Sequence, residues 1–346
     1  MKRVTTPFDP HIKRIIDLVG IKLNGGSSLE DTIVISGAPR TGTTLLMEIV
    51  ATLPGYKTIF EPLHLNRFPY LSKLGFPPRI YLNIGEDNEL LYNHLKNVFS
   101  GKVVAQNPHY SLFNFKKLYR RLSFNKICVK FINGNRLLPW ISERFILKAT
   151  FLIIRHPCAS ISSQLKTGWV GYPKKYEIEI RKGNVNLLRR IILEEVSMID
   201  NLKKNQELIN KINDMQTMEE LLAVEWSLDY IIPLSYFDRY SWNLIVYENL
   251  IENPEQVLDD IFKRLDRDMP EEVLKIMKTP SSTSKEKEID AKKQLQKWKY
   301  HLSPKKIGQI IDTIHSFGID FYNEAIRPDY EALDHYIKSK NKLLRK

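Results

Sequence analysis

Thr32-Ile33-Val34-Ile35-Ser36 runs into Gly37-Ala38-Pro39-Arg40-Thr41-Gly42-Thr43-Thr44 and then into Leu45-Leu46-Met47-Glu48-Ile49-Val50. The first run is short, apolar and rich in β-branched residues, as a strand buried on both faces requires. The last has the pattern of a helix. Between them, Gly37 and Gly42 stand at the spacing of a phosphate-binding loop, where small residues let backbone N–H groups and a helix N-terminus converge on an anion. A triphosphate loop would continue with Lys, which reaches the β- and γ-phosphates. Here that position is Thr43, and the nearest cation, Arg40, lies inside the loop. Arg40 reaches an oxygen near the first phosphate rather than a distant γ-phosphate, which argues against ATP or GTP hydrolysis.

Outward from this segment, further strand-like runs occur at Tyr56–Phe60 and at 127–132, 150–154 and 242–246, several followed by helical patterns. Such βαβ succession predicts an α/β fold with a mostly parallel sheet, whose ligands lie at the carboxyl ends of the strands. From about 176 to 240 the pattern is helical without strands, with Leu187, Ile191, Ile192 and Val196 and later Leu221, Leu222, Trp226 and Tyr230 at helical spacing, and we read it as a helical insertion. Ser303 and Pro304 cap a helix to Phe317. No repeat is present, so one α/β domain over 1–332 is expected, followed by a basic tail over 333–346.

The chain has 346 residues, 43% of them hydrophobic and 27% charged, with 52 Lys and Arg against 40 Asp and Glu, a formal charge of +12. This composition belongs to a globular protein, not a disordered, collagenous or disulfide-stapled one. The charge favours an anionic partner, whether nucleotide, nucleic acid, membrane surface or acidic saccharide. Part of it sits in Lys338, Lys340, Lys342, Arg345 and Lys346, which read as a solvated end. Cys128 and Cys158, the two cysteines, form neither a disulfide framework nor a metal motif. With no signal-peptide pattern and no run long enough to span a membrane, a cytoplasmic protein without a transmembrane segment is expected.

A second anion site is suggested by the strand-like run ending in Ile154, followed by Arg155-His156-Pro157. Pro157 suits a helix's first turn, Arg155 sits at the strand's carboxyl end, and Ser163 lies two turns along the helix. An arginine fork with a nearby hydroxyl suits a phosphate dianion, although a structural salt bridge is an equal alternative. With both segments in view, the loop Gly37–Thr44 resembles the 5′-phosphosulfate loop of sulfotransferases that use 3′-phosphoadenosine 5′-phosphosulfate, and Arg155 with Ser163 resembles their 3′-phosphate site. Val246-Tyr247-Glu248-Asn249-Leu250 is similar to the family's Tyr-Glu-Asp-Leu segment, which implies that Tyr247 lies near the adenine. The resemblance spans about 31–322 and implies a P-loop-like parallel sheet flanked by helices. Its donor-binding residues here are Arg40, Thr41, Gly42, Thr43, Thr44, Arg155, Ser163 and Tyr247, and no metal is expected.

Sulfuryl transfer to a hydroxyl needs a base on the acceptor and cationic stabilisation of the leaving phosphate. Many cytosolic members of the family carry a Lys-Thr-His segment on the strand before the 3′-phosphate site. Here that strand reads Val129-Lys130-Phe131-Ile132-Asn133, so the lysine is kept as Lys130 and the histidine is replaced by Ile132. Phe60-Glu61-Pro62-Leu63 resembles a segment of carbohydrate sulfotransferases whose acid is the proposed base. Glu61 is therefore the expected base, with Arg40 and Lys130 beside it as catalytic residues. A loop carboxylate paired with Arg67 or Arg40 is its plainer reading, and His64 and His109 stand as alternative bases. The Glu61 motif favours a saccharide acceptor, for which Trp140, Trp169, Tyr172 and Trp242 offer stacking faces, with lipid and small-molecule hydroxyls also open. Two other readings compete: a kinase-like phosphotransferase, disfavoured by Thr43, and a non-enzymatic polyanion binder, for which no specific nucleic-acid motif is found.

Overall fold

The computed structural model describes residues 10–103, 119, 122–168, 171–277 and 291–339. Five strands, β1 (Thr32–Ser36), β2 (Tyr56–Phe60), β3 (Lys126–Phe131), β4 (Ala149–Ile154) and β5 (Asn243–Val246), form one sheet in the order β2-β3-β1-β4-β5. Every pairing is parallel, with Val34 opposite Val129 on one side and Thr150 on the other. β1 is central and wholly buried, which is why its sequence shows an unbroken apolar run rather than alternation. This is the P-loop-like, helix-flanked parallel sheet that the sequence predicts.

The pleat sorts the side chains into two cores. Ile33 and Ile35, with Phe151 and Ile153, pack under the helices Thr43–Val50 and Pro254–Arg264. Val34, with Leu152 and Ile154, packs under the helices Val185–Ser197, Met218–Leu234 and Pro304–Ser316. The Met218–Leu234 helix opens with a capping box, Thr217 and Glu220 bonding each other's backbone N–H, and nearly all of its residues are buried. The 174–234 region contains four helices, Lys174–Arg181, Val185–Ser197, Gln206–Asp214 and Met218–Leu234, and no strand among its described residues.

The chain leaves β1 toward β2 at one edge and leaves β4 toward β5 at the other. Adjacent strands whose connections diverge open a crevice beyond their carboxyl ends, so the Gly37–Thr44 loop and Arg155 face the same opening. Past β5 the chain forms a short helix, Tyr247–Glu252, and then the helix Pro254–Arg264. Lys338 ends a helix, Tyr330–Ser339, and pairs with Asp334 at 2.5 Å, while the rest of the basic run lies outside the described residues.

Candidate active site

The loop's geometry depends on its two glycines. A Cβ on Gly37 would sit 2.7 Å from the Ile153 carbonyl oxygen, and one on Gly42, at φ +99°, would sit 2.5 Å from the Tyr247 ring. Thr41 Oγ1 donates to the Ala38 carbonyl at 2.7 Å. Gly42 is the N-cap of the following helix and carries no side chain to satisfy its first-turn N–H groups, which leaves them directed at the crevice. From the other core, the Tyr230 hydroxyl accepts from Ala38 N–H at 3.2 Å and donates to the Ile153 carbonyl at 2.8 Å, tying the loop to the end of β4.

Arg40, Arg155 and Ser163 meet here. Arg40 Nε donates to Ser163 Oγ at 3.0 Å, Arg155 donates through a terminal nitrogen to the Arg40 carbonyl at 3.0 Å, and the Arg155 guanidinium lies 4.4 Å from the centre of the Tyr247 ring. The structure thus gathers the residues assigned to two anion sites into one cluster, with Ser163 bonded to Arg40 rather than to Arg155. Among the described residues neither arginine forms an ion pair with a carboxylate, and Arg155 Nε is buried without a partner. Burial, with the Arg155 charge beside it, lowers the Arg40 pKa from its ordinary value. Half-buried cations that bond no carboxylate suit an anion.

Glu248, just after β5, supports this cluster from behind. Its Oε1 accepts from His156 N–H at 2.9 Å and its Oε2 from the Tyr322 hydroxyl at 3.1 Å, and burial raises its pKa to about 6. His156 N-caps the Pro157–Thr167 helix, stacks on Trp298 with ring centres 4.5 Å apart, and bonds the Asn323 carbonyl at 2.9 Å. Burial lowers its pKa to about 4, and its contacts are those of a packed side chain.

Glu61 follows β2 with its backbone in the left-handed region, φ +51°. Arg40, at φ +69°, and Asp266 are the other non-glycine residues with positive φ among the described residues, so two of three such strained positions fall on predicted catalytic residues. Glu61 Oε1 pairs with Lys130 Nζ at 2.5 Å, both side chains being 2% exposed or less. The partner is therefore Lys130, not the Arg67 or Arg40 of the plainer reading. Arg67 adds a favourable charge near Glu61, its guanidinium 4.8 Å from the Phe60 ring centre. Glu61 Oε2 is buried and has no hydrogen-bond partner among the described residues. Burial lowers the Lys130 pKa against the opposing pull of Glu61, and the Arg40 charge lowers it further, so the pair lies within the electrostatic reach of the loop.

His64 is buried beside Glu61, which its backbone N–H contacts through the Glu61 carbonyl at 3.1 Å, and burial lowers its pKa. His109 and Trp169 lie outside the described residues. The other three aromatic candidates are core: Trp140 and Tyr172 are fully buried, and Trp242 stacks on Tyr240 with ring centres 5.1 Å apart. They offer no open face, because an apolar ring in a parallel α/β fold gains more from burial than from exposure.

Sequence reasoning missed Tyr230 and the support beneath it. Tyr230 falls on an apolar helical stripe, and only its hydroxyl hints at a bonding role. On the same helix, Asp229 and Glu225 hold Arg136 at 2.9 and 2.7 Å, and Arg136 also holds Glu195 at 2.7 Å.

No family model matches the chain, and no curated protein sequence matches it. Among solved structures, the sulfotransferase domain of the Synechococcus PCC 7002 olefin synthase is 16% identical over 84% of this chain and 95% of its own, with a TM-score of 0.43. The sulfotransferase domain from the curacin biosynthetic pathway is 17% identical over 84% of this chain and 99% of its own, TM-score 0.45. Mouse sulfotransferase SULT7A1, complexed with PAP, is 13% identical over 87% and 93%, TM-score 0.41.

Proposed function

We propose that this chain is a sulfotransferase that moves a sulfuryl group from 3′-phosphoadenosine 5′-phosphosulfate to an acceptor hydroxyl, a saccharide hydroxyl being favoured. The observation that carries the reading is the pair Arg40 and Arg155, brought to one glycine loop without a carboxylate partner among the described residues. The residues fit the donor: the uncapped helix start and Arg40, Thr41, Gly42, Thr43 and Thr44 suit a 5′-phosphosulfate, and Arg155, whose buried Nε lacks a partner, suits a 3′-phosphate with Ser163. Tyr247, packed on Gly42 and under Arg155, offers the adenine a neighbour. The saccharide preference rests on the Phe60-Glu61-Pro62-Leu63 resemblance alone. A cytoplasmic setting accords with Cys128 and Cys158 as free, buried thiols.

When bound, the donor supplies the sulfuryl group and a phosphate as leaving group. Glu61 Oε2 takes the acceptor's proton as the acceptor oxygen bonds to sulfur, and Lys130 holds Oε1 so that the carboxylate presents its free oxygen. Arg40, the loop N–H groups, Thr43 and Thr44 neutralise the charge left on the departing phosphate as its bond to sulfur breaks.

Thermal unfolding with 3′-phosphoadenosine 5′-phosphate, compared with ATP plus Mg²⁺, tests the reading. At a hundredfold excess over Kd the bound nucleotide adds about 2.7 kcal/mol, and Arg155→Ala removes about half of that gain or more. Stabilisation by ATP plus Mg²⁺ alone makes the chain a kinase-like phosphotransferase, and salt-dependent binding of DNA with neither nucleotide makes it a polyanion binder.

A further inference from the structure

The helix Pro10–Asn24 is amphipathic in the reverse of the usual sense. Its inward residues are Asp17, 2% exposed, Gly20 and Asn24, and the Asn24 side chain fastens it to the Leu122 carbonyl at 2.8 Å and accepts from Phe124 N–H at 3.3 Å. Its outward face carries Ile12, Ile15, Leu18, Val19 and Leu23, which are 41, 58, 49, 42 and 70% exposed. At 100° per residue these five fall, with Lys22, in one arc of about 140°, and Arg14 borders it. Arg14 and Lys22 are exposed, and the helix's single acid, Asp17, points inward.

We propose that this face docks on an anionic lipid bilayer surface, with the helix lying in the interfacial plane. A helix that presents aliphatic side chains together with Lys and Arg, and no acid, matches the two attractions of such a surface, burial of apolar area at the headgroup boundary and pairing with lipid phosphates and carboxylates. Long basic side chains reach the headgroups while their stems stay among apolar groups. A second copy of the chain fits less well: two-fold pairing of this face sets Arg14 and Lys22 against their own counterparts, and the face has no acid to pair them. The net charge of +12 adds the same sign of steering. The helix has 15 residues and, among the described residues, no helix is long and apolar enough to cross a membrane, so the docking is peripheral. The inference is independent of the proposed donor.

Co-sedimentation of the full chain with phosphatidylcholine vesicles, with and without phosphatidylserine, at low and high salt tests it. The expected result is binding that requires phosphatidylserine and weakens with salt. Neutralising these two cations, Arg14→Gln with Lys22→Gln, weakens binding about 30-fold, taking about fivefold for each charge. Ile15→Glu with Val19→Glu abolishes it, and the thermal unfolding of both variants stays that of the parent because all four side chains are exposed. No binding to phosphatidylserine vesicles, or equal binding by parent and variants, overturns the proposal. A parent dimer in sedimentation velocity that Ile15→Glu with Val19→Glu converts to monomer, without vesicle binding, assigns the face to a second copy and overturns it as well.

Discussion

The molecule holds two pairs of arginines that residue type alone does not separate. Arg79 and Arg136 are embedded among three carboxylates: Arg79 meets Glu225 at 2.9 Å and Asp229 at 3.3 Å, and Arg136 meets Glu195, Glu225 and Asp229 at 2.7 to 2.9 Å, with every side chain 2% exposed or less. Arg40 and Arg155 bond a hydroxyl, a backbone carbonyl and an aromatic face instead. In the first set, burial and the neighbouring Glu225 raise the Glu195 pKa, while Arg79 and Arg136 outweigh burial to keep Glu225 ionised. Burial likewise raises the Asp229 pKa, and each arginine of this set has carboxylate oxygens at bonding distance. The first pair is bonded to carboxylates and the second is not, and on this contrast we assign the first to the scaffold and propose the second as the ligand's.

The largest effect that could break this distinction is on stability. Arg136→Met leaves Glu225 and Asp229 buried short of counter-charge and is expected to cost about 3–5 kcal/mol in denaturant unfolding. Arg155→Ala, which breaks no bond to a carboxylate, is expected to cost about 1 kcal/mol or less. Equal losses would erase the division between scaffold and ligand arginines.

Glu61 and Lys130 fall between the two cases, paired like the scaffold arginines yet with one carboxylate oxygen unpartnered. Glu61→Gln is expected to lower turnover by about 10²–10⁴-fold while sparing the stabilisation by 3′-phosphoadenosine 5′-phosphate. Lys130→Met alone strands a buried carboxylate and destabilises, and adding Glu61→Gln recovers much of that loss without recovering turnover. Unchanged turnover in Glu61→Gln would move the pair wholly to the scaffold.

Ligand affinity sharpens the comparison further. Arg40→Ala and Arg155→Ala each remove charge-assisted bonds of about 1.5–3 kcal/mol, so each is expected to weaken 3′-phosphoadenosine 5′-phosphate by about 10–100-fold in calorimetric titration. Arg155→Lys regains only part, since it keeps the charge and loses the fork.

Much of this half of the site was legible because it is local. The strand, the Gly37 and Gly42 spacing and the Arg155-His156-Pro157 turn each depend on neighbours a few positions away, and Thr43 in the lysine position already pointed away from a triphosphate. The pairing of Glu61 with Lys130 was not legible, although both were singled out, because it spans 69 positions and is set by the register of β2 on β3. The buried network joins Arg79 to Asp229 across 150 positions, and in sequence its members look like surface charges. The burial of Trp140, Tyr172 and Trp242 follows from packing that helical spacing does not specify, and positive φ at Arg40 and Glu61 has no mark of its own where the residue is not glycine.

The pH dependence of folding separates the supports of the site by sign. His156 is lowered from 6.5 to about 4. Between these values the unfolded chain binds a proton that the folded chain refuses, so stability falls with pH across this window, by up to about 3 kcal/mol. Glu248 is raised from 4.5 to about 6, so the folded chain binds more protons there and gains up to about 2 kcal/mol as pH falls. Glu248→Gln is therefore expected to steepen the acid-side loss of thermal stability between pH 6 and pH 4.5, and His156→Gln to flatten it. A parallel shift of both curves would show that neither group titrates as its burial requires.

Tyr230 joins the two regions, because the Met218–Leu234 helix carries the carboxylates of the network on Glu225 and Asp229 and the supports of the site on Trp226 and Tyr230. Trp226 Nε1 donates to the Arg155 carbonyl at 3.2 Å, and the Tyr230 hydroxyl bridges Ala38 and Ile153. Tyr230→Phe keeps the ring in its core position and removes the bridge, leaving the buried Ala38 N–H and Ile153 carbonyl without this partner at a cost of about 1–3 kcal/mol. A merely structural tyrosine would move only the unfolding midpoint. A positioning one also lowers the affinity for 3′-phosphoadenosine 5′-phosphate by a few-fold, because the loop N–H groups lose their fixed direction, while the 3′-phosphate selectivity we assign to Arg155 stays as it was. An unchanged affinity in Tyr230→Phe would show that the loop holds its shape through Gly37, Gly42 and the Thr41 bond to Ala38 alone, and that the carboxylate-bonded network stabilises the fold without reaching the other pair.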